Sequence, residues 1–142
     1  MANTLFDELG GMPCLRKVHR IFYGKLLAHP WLKGFFVGVP RAHLEGQQTD
    51  FMAGVFGGPK VYGGRPPKTA HTHLFITEEV FLTRHGLLKE SLEEAGIRPD
   101  LKERWLTHDM RMMKVLCKQS VSECAGRYKN EPVVVVEKPA FS

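Results

Sequence analysis

The chain has 142 residues, 43% of them hydrophobic and 25% charged, a size and balance that suit one globular domain with its own core and exclude a disordered or membrane-embedded chain. No stretch approaches the about 20 apolar residues that span a bilayer. The net charge of +5 is spread along the chain rather than gathered into a basic stripe, so neither a nucleic-acid partner nor a membrane partner is expected. The three cysteines, Cys14, Cys117 and Cys124, are odd in number and fit no zinc or redox spacing, which favours a reducing compartment. With Asp7 and Glu8 near the start and no apolar segment there, no signal peptide is expected and the chain reads as cytoplasmic.

In chain order, Thr4 precedes Leu5-Phe6-Asp7 as the N-cap of a short turn of helix. Pro13 suits the first position of the next helix. There Leu15, Val18, Phe22 and Leu26 recur at helical spacing, with Ile21 and Leu27 widening the stripe until Pro30 stops it. Phe35 and Phe36 fall in a short loop-like segment. A second helix is expected from Arg41 to Phe56, with Leu44, Phe51, Met52 and Val55 on one face. From Gly57 to Pro67 the chain is rich in glycine and proline, the mark of a long irregular connection. Thr77 caps a third helix with Glu78 and Glu79 in its first turn and Phe81, Leu88, Leu92 and Ala95 on its apolar face, ending at Gly96. Pro99-Asp100 opens a fourth, carried by Leu101, Trp105, Met112 and Leu116 and expected to run to about Cys124. The whole is read as all-α. Val133 to Val136 suit a strand, but nothing else in the pattern offers that strand a partner. Residues 126–142 are therefore expected to be an extended or disordered tail.

Seven histidines are present: His19, His29, His43, His71, His73, His85 and His108. None forms the clusters that structural zinc requires. His71 and His73 come nearest, and their spacing turns the two rings to different sides of a helix. Haem makes a smaller demand, one axial histidine in an otherwise apolar pocket. Two polar residues stand on apolar helix faces and would suit such a pocket. Gln48 interrupts the stripe from Leu44 to Val55, and Tyr23 lies among Ile21, Phe22, Leu26 and Leu27. Each either bonds its own protein or faces a bound ligand, since a buried amide or phenol left unpaired costs on the order of 1–3 kcal/mol. No phosphate loop, nucleophile elbow or catalytic triad pattern is found.

An ordered set of motifs resembles the truncated globins, and within them the first group. The set is Leu5-Phe6-Asp7-Glu8-Leu9-Gly10-Gly11, Phe22-Tyr23, Phe35-Phe36, Gln48 with Phe51, Phe56-Gly57-Gly58-Pro59, Tyr62, His71, Ile76-Thr77 and Phe81. The resemblance covers about residues 4 to 117. It implies a two-over-two helical sandwich, with a globin domain over residues 1–125, holding haem b and its iron. It also implies roles for individual residues. His71 is the proximal iron ligand, and Phe36 packs on the haem. Tyr23 and Gln48 donate to bound ligand. Phe22, Leu44, Phe51, Tyr62, Ile76 and Phe81 line the pocket, and Arg41 and His43 meet the haem propionates. His73 is the rival proximal ligand, disfavoured by its spacing to Ile76-Thr77 and Phe81. Gln47 stands where some members place a distal histidine, so closure of the iron from that side is not expected, with His43 the minor alternative. Thr83 and Arg84 stand where the second group carries a tryptophan. The implied function is binding of dioxygen, nitric oxide and carbon monoxide by a monomer or weak dimer. The same pocket could serve a nitric oxide dioxygenase or a peroxidase, which would need a separate reductase, and a helical adaptor without haem is the reading outside this chemistry.

Overall fold

The computed structural model describes residues 3–140. Helix α1 (Leu5–Leu9) starts from a reciprocal capping box between Thr4 and Asp7. Helix α2 (Met12–Ala28) carries proline in its first turn, and a 3₁₀ turn at Leu32–Phe36 leads to α3 (Arg41–Val55). A single turn, α4 (Pro67–Ala70), follows the irregular segment, and then come α5 (Glu78–Glu94), α6 (Pro99–Arg111) and the short α7 (Met113–Leu116). The Thr77 hydroxyl accepts from the Val80 N–H at the start of α5. At the other end Gly96, at φ 74°, lets the Ile97 N–H return to the Leu92 carbonyl, a closure that suits glycine because its φ is left-handed.

Helices α2 and α3 form one packed pair and α5 and α6 the other, with α2 crossing α5. That is the two-over-two arrangement. The seam is apolar: Leu15, Val18, Phe22 and Leu26 of α2 meet Phe81, Leu88 and Leu92 of α5 and Trp105 of α6, all nearly or fully buried. Each such Leu or Phe contributes about 1.5–3 kcal/mol through removal from water. A polar pair fastens the first two long helices to each other. His19 is 1% exposed and its Nδ1 lies 2.7 Å from the Thr49 hydroxyl, tying α2 to α3. Helix α1 is pinned to the end of α3 by the Phe6 N–H bond to the Phe56 carbonyl. A Cβ at Gly58 would meet the Phe6 ring at 2.6 Å, so only glycine lets the chain pass so close to it.

Two expectations about the last part of the chain are corrected. The fourth helix does not run to Cys124: α6 gives way at Met112, α7 ends at Leu116, and Cys117 is extended. The apolar stripe stops at Leu116, and the next residue but one leaves for other partners. The Lys118 N–H bonds the Ile76 carbonyl, and its ammonium reaches the carbonyls of His71, Leu74 and Leu116 at 3.0, 2.8 and 3.4 Å. The valine run, for its part, has a partner. Val134 forms a parallel bridge with Leu74 through Val134 N–H to the His73 carbonyl and Phe75 N–H to the Val134 carbonyl. Val136 packs on Gly34, where a Cβ would come within 2.7 Å of it, and its carbonyl accepts from the Trp31 indole. The partner is an irregular segment with no strand-like composition, so sequence pattern gives no sign of it.

Candidate functional site

Between the helix pairs lies a cavity of about 480 Å3, within the size range that holds small-molecule cofactors. Helices α2 and α3 contribute Tyr23, His43, Leu44, Gln47, Gln48 and Phe51 to its walls, and the 3₁₀ turn contributes Phe36. The chain between α3 and α5 contributes Tyr62, Arg65, His71, His73, Leu74 and Ile76, and α5 adds Phe81 and Arg84.

His71 caps the single turn α4 at φ −109° and ψ 6°. Its Nδ1 lies 2.7 Å from the Pro67 carbonyl, which fixes Nδ1 as the protonated nitrogen and leaves Nε2 with its lone pair. Burial pushes the ring's pKa below the ordinary histidine value. The Pro67 carbonyl opposes that shift, while the charges of Arg84 and Lys118 reinforce it. The result is a neutral imidazole with an oriented donor nitrogen, the state in which histidine binds metal. His73 also lines the cavity, but its buried Nδ1 has no hydrogen-bond partner, so no carbonyl orients its ring.

Tyr23 is buried, with its ring edge-on to Phe36 at 6.1 Å and tilted against Phe22 at 5.5 Å. Burial pushes its pKa up to about 12, against a lowering by Arg84, so the hydroxyl keeps its proton and can donate. Among the described residues neither the Tyr23 hydroxyl nor the Gln48 carboxamide bonds another protein group, and both residues line the cavity. Internal satisfaction, the alternative that the sequence left open for each, is therefore not what the structure contains.

The structure brings Tyr23, Phe36, His43, Leu44, Gln48, Phe51, Tyr62, His71, Ile76 and Phe81 to one cavity. Phe22 and Arg41 do not join them. Phe22 sits one position before Tyr23, so the helix turns it away into the core, 1% exposed, beneath the Arg84 guanidinium at 5.2 Å. Arg41 folds back across the outside of α2, where its Nη2 donates to the Arg20 carbonyl at 2.7 Å and its Nε to Glu45 at 3.2 Å. The arginines that line the cavity are instead Arg65, Arg84 and Arg127. Arg65 Nη1 donates to the Arg127 carbonyl at 3.1 Å, and Arg127 is braced by Glu131. Tyr62 stacks edge-on against Phe51 and donates to the Arg65 carbonyl, shaping this side of the wall.

Arg84 with Asp109, the Arg65–Arg127 pair and Lys118 escaped the sequence reading. A signal existed for the first. Arg84 lies three residues after Phe81 and four before Leu88, on the apolar stripe of α5, so a charge there is as misplaced as Gln48 is on α3. For the others no local signal exists, because their roles depend on where a distant segment lies.

The donor set fits a haem. One neutral histidine presents an oriented nitrogen, aromatic and aliphatic walls enclose the space, and Arg65 and Arg127 offer cations to carboxylates. Comparison with known proteins agrees. Residues 4–119 match the bacterial-like globin family. The group 1 truncated hemoglobin of Mycolicibacterium paratuberculosis is 37% identical over 94 residues, spanning 66% of this chain and 69% of that protein. The crystal structure of truncated hemoglobin from Tetrahymena pyriformis in the Fe(III) form superposes with a TM-score of 0.74 at 27% identity, covering 82% of this chain and 100% of that one. The 2/2 hemoglobin from Synechococcus sp., in the cyanomet state with covalently attached heme, gives 0.73 at 29% identity over 80% of this chain and 98% of that one. The chain belongs to the bacterial-like globins, as a truncated haemoglobin of the first group with a two-over-two fold and a haem cofactor.

Proposed function

We propose that this protein binds dioxygen at a haem iron carried by His71, with Tyr23 and Gln48 donating hydrogen bonds to the bound ligand. The observation that carries this reading is the Pro67 carbonyl on His71 Nδ1, in a cavity where Tyr23 and Gln48 present polar groups without a protein partner. When bound, haem would supply an iron that takes diatomic gases. The chain's own groups do the rest. His71 is held neutral and oriented by burial and by Pro67. Leu44, Phe51, Ile76 and Phe81 keep water from the ligand, which strengthens any hydrogen bond made there. The Tyr23 hydroxyl, protonated up to about pH 12, and the Gln48 amide meet the partial negative charge of dioxygen. Arg65 and Arg127 are the cations available to the propionates.

Absorption spectra of the ferric, ferrous and carbonyl forms test haem ligation through a Soret band and its shifts. Dioxygen dissociation then tests the donors. Each hydrogen bond contributes about 0.5–1.5 kcal/mol, so Tyr23→Phe is expected to raise the dissociation rate roughly two- to tenfold by the rate arithmetic. An unchanged rate removes Tyr23 from the ligand network.

A further inference from the structure

Arg84 is the charged side chain that the apolar stripe of α5 does not explain. Its guanidinium lies over two rings, 5.2 Å from the centre of Phe22 and 5.5 Å from that of Phe81. Its Nη1 donates to both oxygens of Asp109 at 2.9 Å. Asp109 comes from α6 and is 5% exposed, and the His85 ring closes on its Oδ2 at 2.7 Å. Burial alone would raise the Asp109 carboxyl, but the Arg84 charge and the hydrogen bonds from His85 and Arg84 hold it below its usual range. The ion pair is thus formed and fixed.

A pair with a buried carboxylate and a partly exposed guanidinium is a poor device for stability, because the cost of desolvating charge offsets most of the attraction. The orientation suggests another use. A guanidinium has five N–H donors, and only Nη1 is engaged by Asp109 among the described residues; Nε and Nη2 have no protein acceptor. Arg84 and Asp109 both line the cavity together with Tyr23 and Gln48. The charge also acts on both functional walls, lowering the Tyr23 hydroxyl and the His71 ring. A small ligand beside Tyr23 therefore enters a cavity where a preoriented cation has donors to spare.

We propose that Arg84, held in place by Asp109, makes the ligand side of this cavity a binding site for small monovalent anions. The inference rests on reading the cavity as a haem site with Tyr23 and Gln48 on its ligand side. An anion there shares the positive charge of the guanidinium with Asp109, so the carboxylate is both the anchor of Arg84 and the counter-charge that weakens its pull on the ligand. A purely structural pair has no such antagonism.

Azide titration of the ferric protein at fixed neutral pH, followed by the visible spectrum, reads this out, with carbon monoxide binding to the ferrous protein as the neutral reference. Charge-assisted hydrogen bonds are the stronger kind, so Arg84→Met is expected to weaken azide binding about tenfold or more while carbon monoxide affinity stays within about threefold. Asp109→Asn removes the counter-charge and is expected to tighten azide binding. The double variant R84M/D109N leaves no uncompensated charge and so protects the test against misfolding; it should still bind azide clearly more weakly than the unaltered protein. Azide affinity that is unchanged in the double variant overturns the proposal. So does an equal loss for azide and carbon monoxide, or an Asp109→Asn variant that weakens azide binding. Failure of the underlying haem-site reading looks different: the unaltered protein then binds neither carbon monoxide nor azide.

Discussion

The two walls of the cavity are held by different means. On one side, Tyr23, Leu44, Gln48 and Phe51 project from α2 and α3, helices of 17 and 15 residues. Their directions follow from helical register, and the two helices are fastened by apolar packing and the buried His19–Thr49 bond. On the other side, His71 stands at the end of a single helical turn of 4 residues. Too short to be stable alone, that turn is held by what surrounds it: the Pro67 carbonyl on the ring, the Lys118 ammonium on the His71 and Leu74 carbonyls, and Val134 paired along residues 73–75. A wall made of long helices fixes side chains by periodicity. A wall made of loop fixes them by satisfying backbone carbonyls from elsewhere in the chain.

The comparison can be broken most sharply at His71, the proposed iron ligand. His71→Ala is expected to abolish stable haem uptake, measured by the Soret absorbance of purified protein, whereas His73→Ala, which removes a ring with no partner on its buried Nδ1, should retain it. The reverse outcome would transfer the role to His73 and sink the argument from the Pro67 bond. A smaller effect is expected at Lys118, the clamp of the loop wall. Lys118→Met keeps the length of the side chain but loses charged hydrogen bonds to backbone carbonyls, each kind contributing about 1.5–3 kcal/mol. Urea unfolding should show a loss of that order, and haem transfer to an acceptor globin should accelerate. Equal haem release from variant and parent would mean that the loop wall holds itself.

The helical wall is probed through pH. Burial, with help from the Arg84 charge, lowers the His19 pKa from 6.5 to about 3. Above pH 6.5 the ring is neutral in both native and unfolded chains, and its contribution to stability is fully present. As pH falls below 6.5 the unfolded chain takes up a proton that the native chain refuses, so stability declines by about 1.4 kcal/mol per pH unit for this one group until pH nears the native value. His19→Gln, which can still bond Thr49, should flatten the stability–pH slope by about one proton in that window. An unaltered slope would mean that the acid sensitivity lies in other histidines.

The same contrast explains what could be read in advance. Thr4, Pro13, Thr77 and Gly96 mark helix ends through local backbone chemistry, and each stands where that chemistry requires. Tyr23 and Gln48 were legible because a polar residue on an apolar stripe is visible against its period, whereas Leu44 and Phe51 belong to the stripe itself and were tied to a pocket only by the family resemblance. Phe22 failed as a cavity residue for a related reason: neighbours in a helix point in different directions, and only Tyr23 faces the space. Arg41 failed because a long flexible side chain at a helix start takes whichever acceptor is near, here the Arg20 carbonyl. Arg84 carried the same signal as Gln48, a polar group on an apolar face, but was passed over as a site residue.

The sequence by itself determined the long helices and most of their ends, the apolar stripes along which they pair, and the polar groups out of place on those stripes, because these follow from patterns within a few residues; the end of the last helix did not follow in this way. Only the tertiary structure decided which histidine has an oriented ring, where the valine run docks, and which arginines reach the cavity. Those outcomes depend on buried carbonyls and carboxylates meeting donors from segments distant in sequence, such as Lys118 on residue 71 and Asp109 on Arg84, and no local pattern records where such segments will meet.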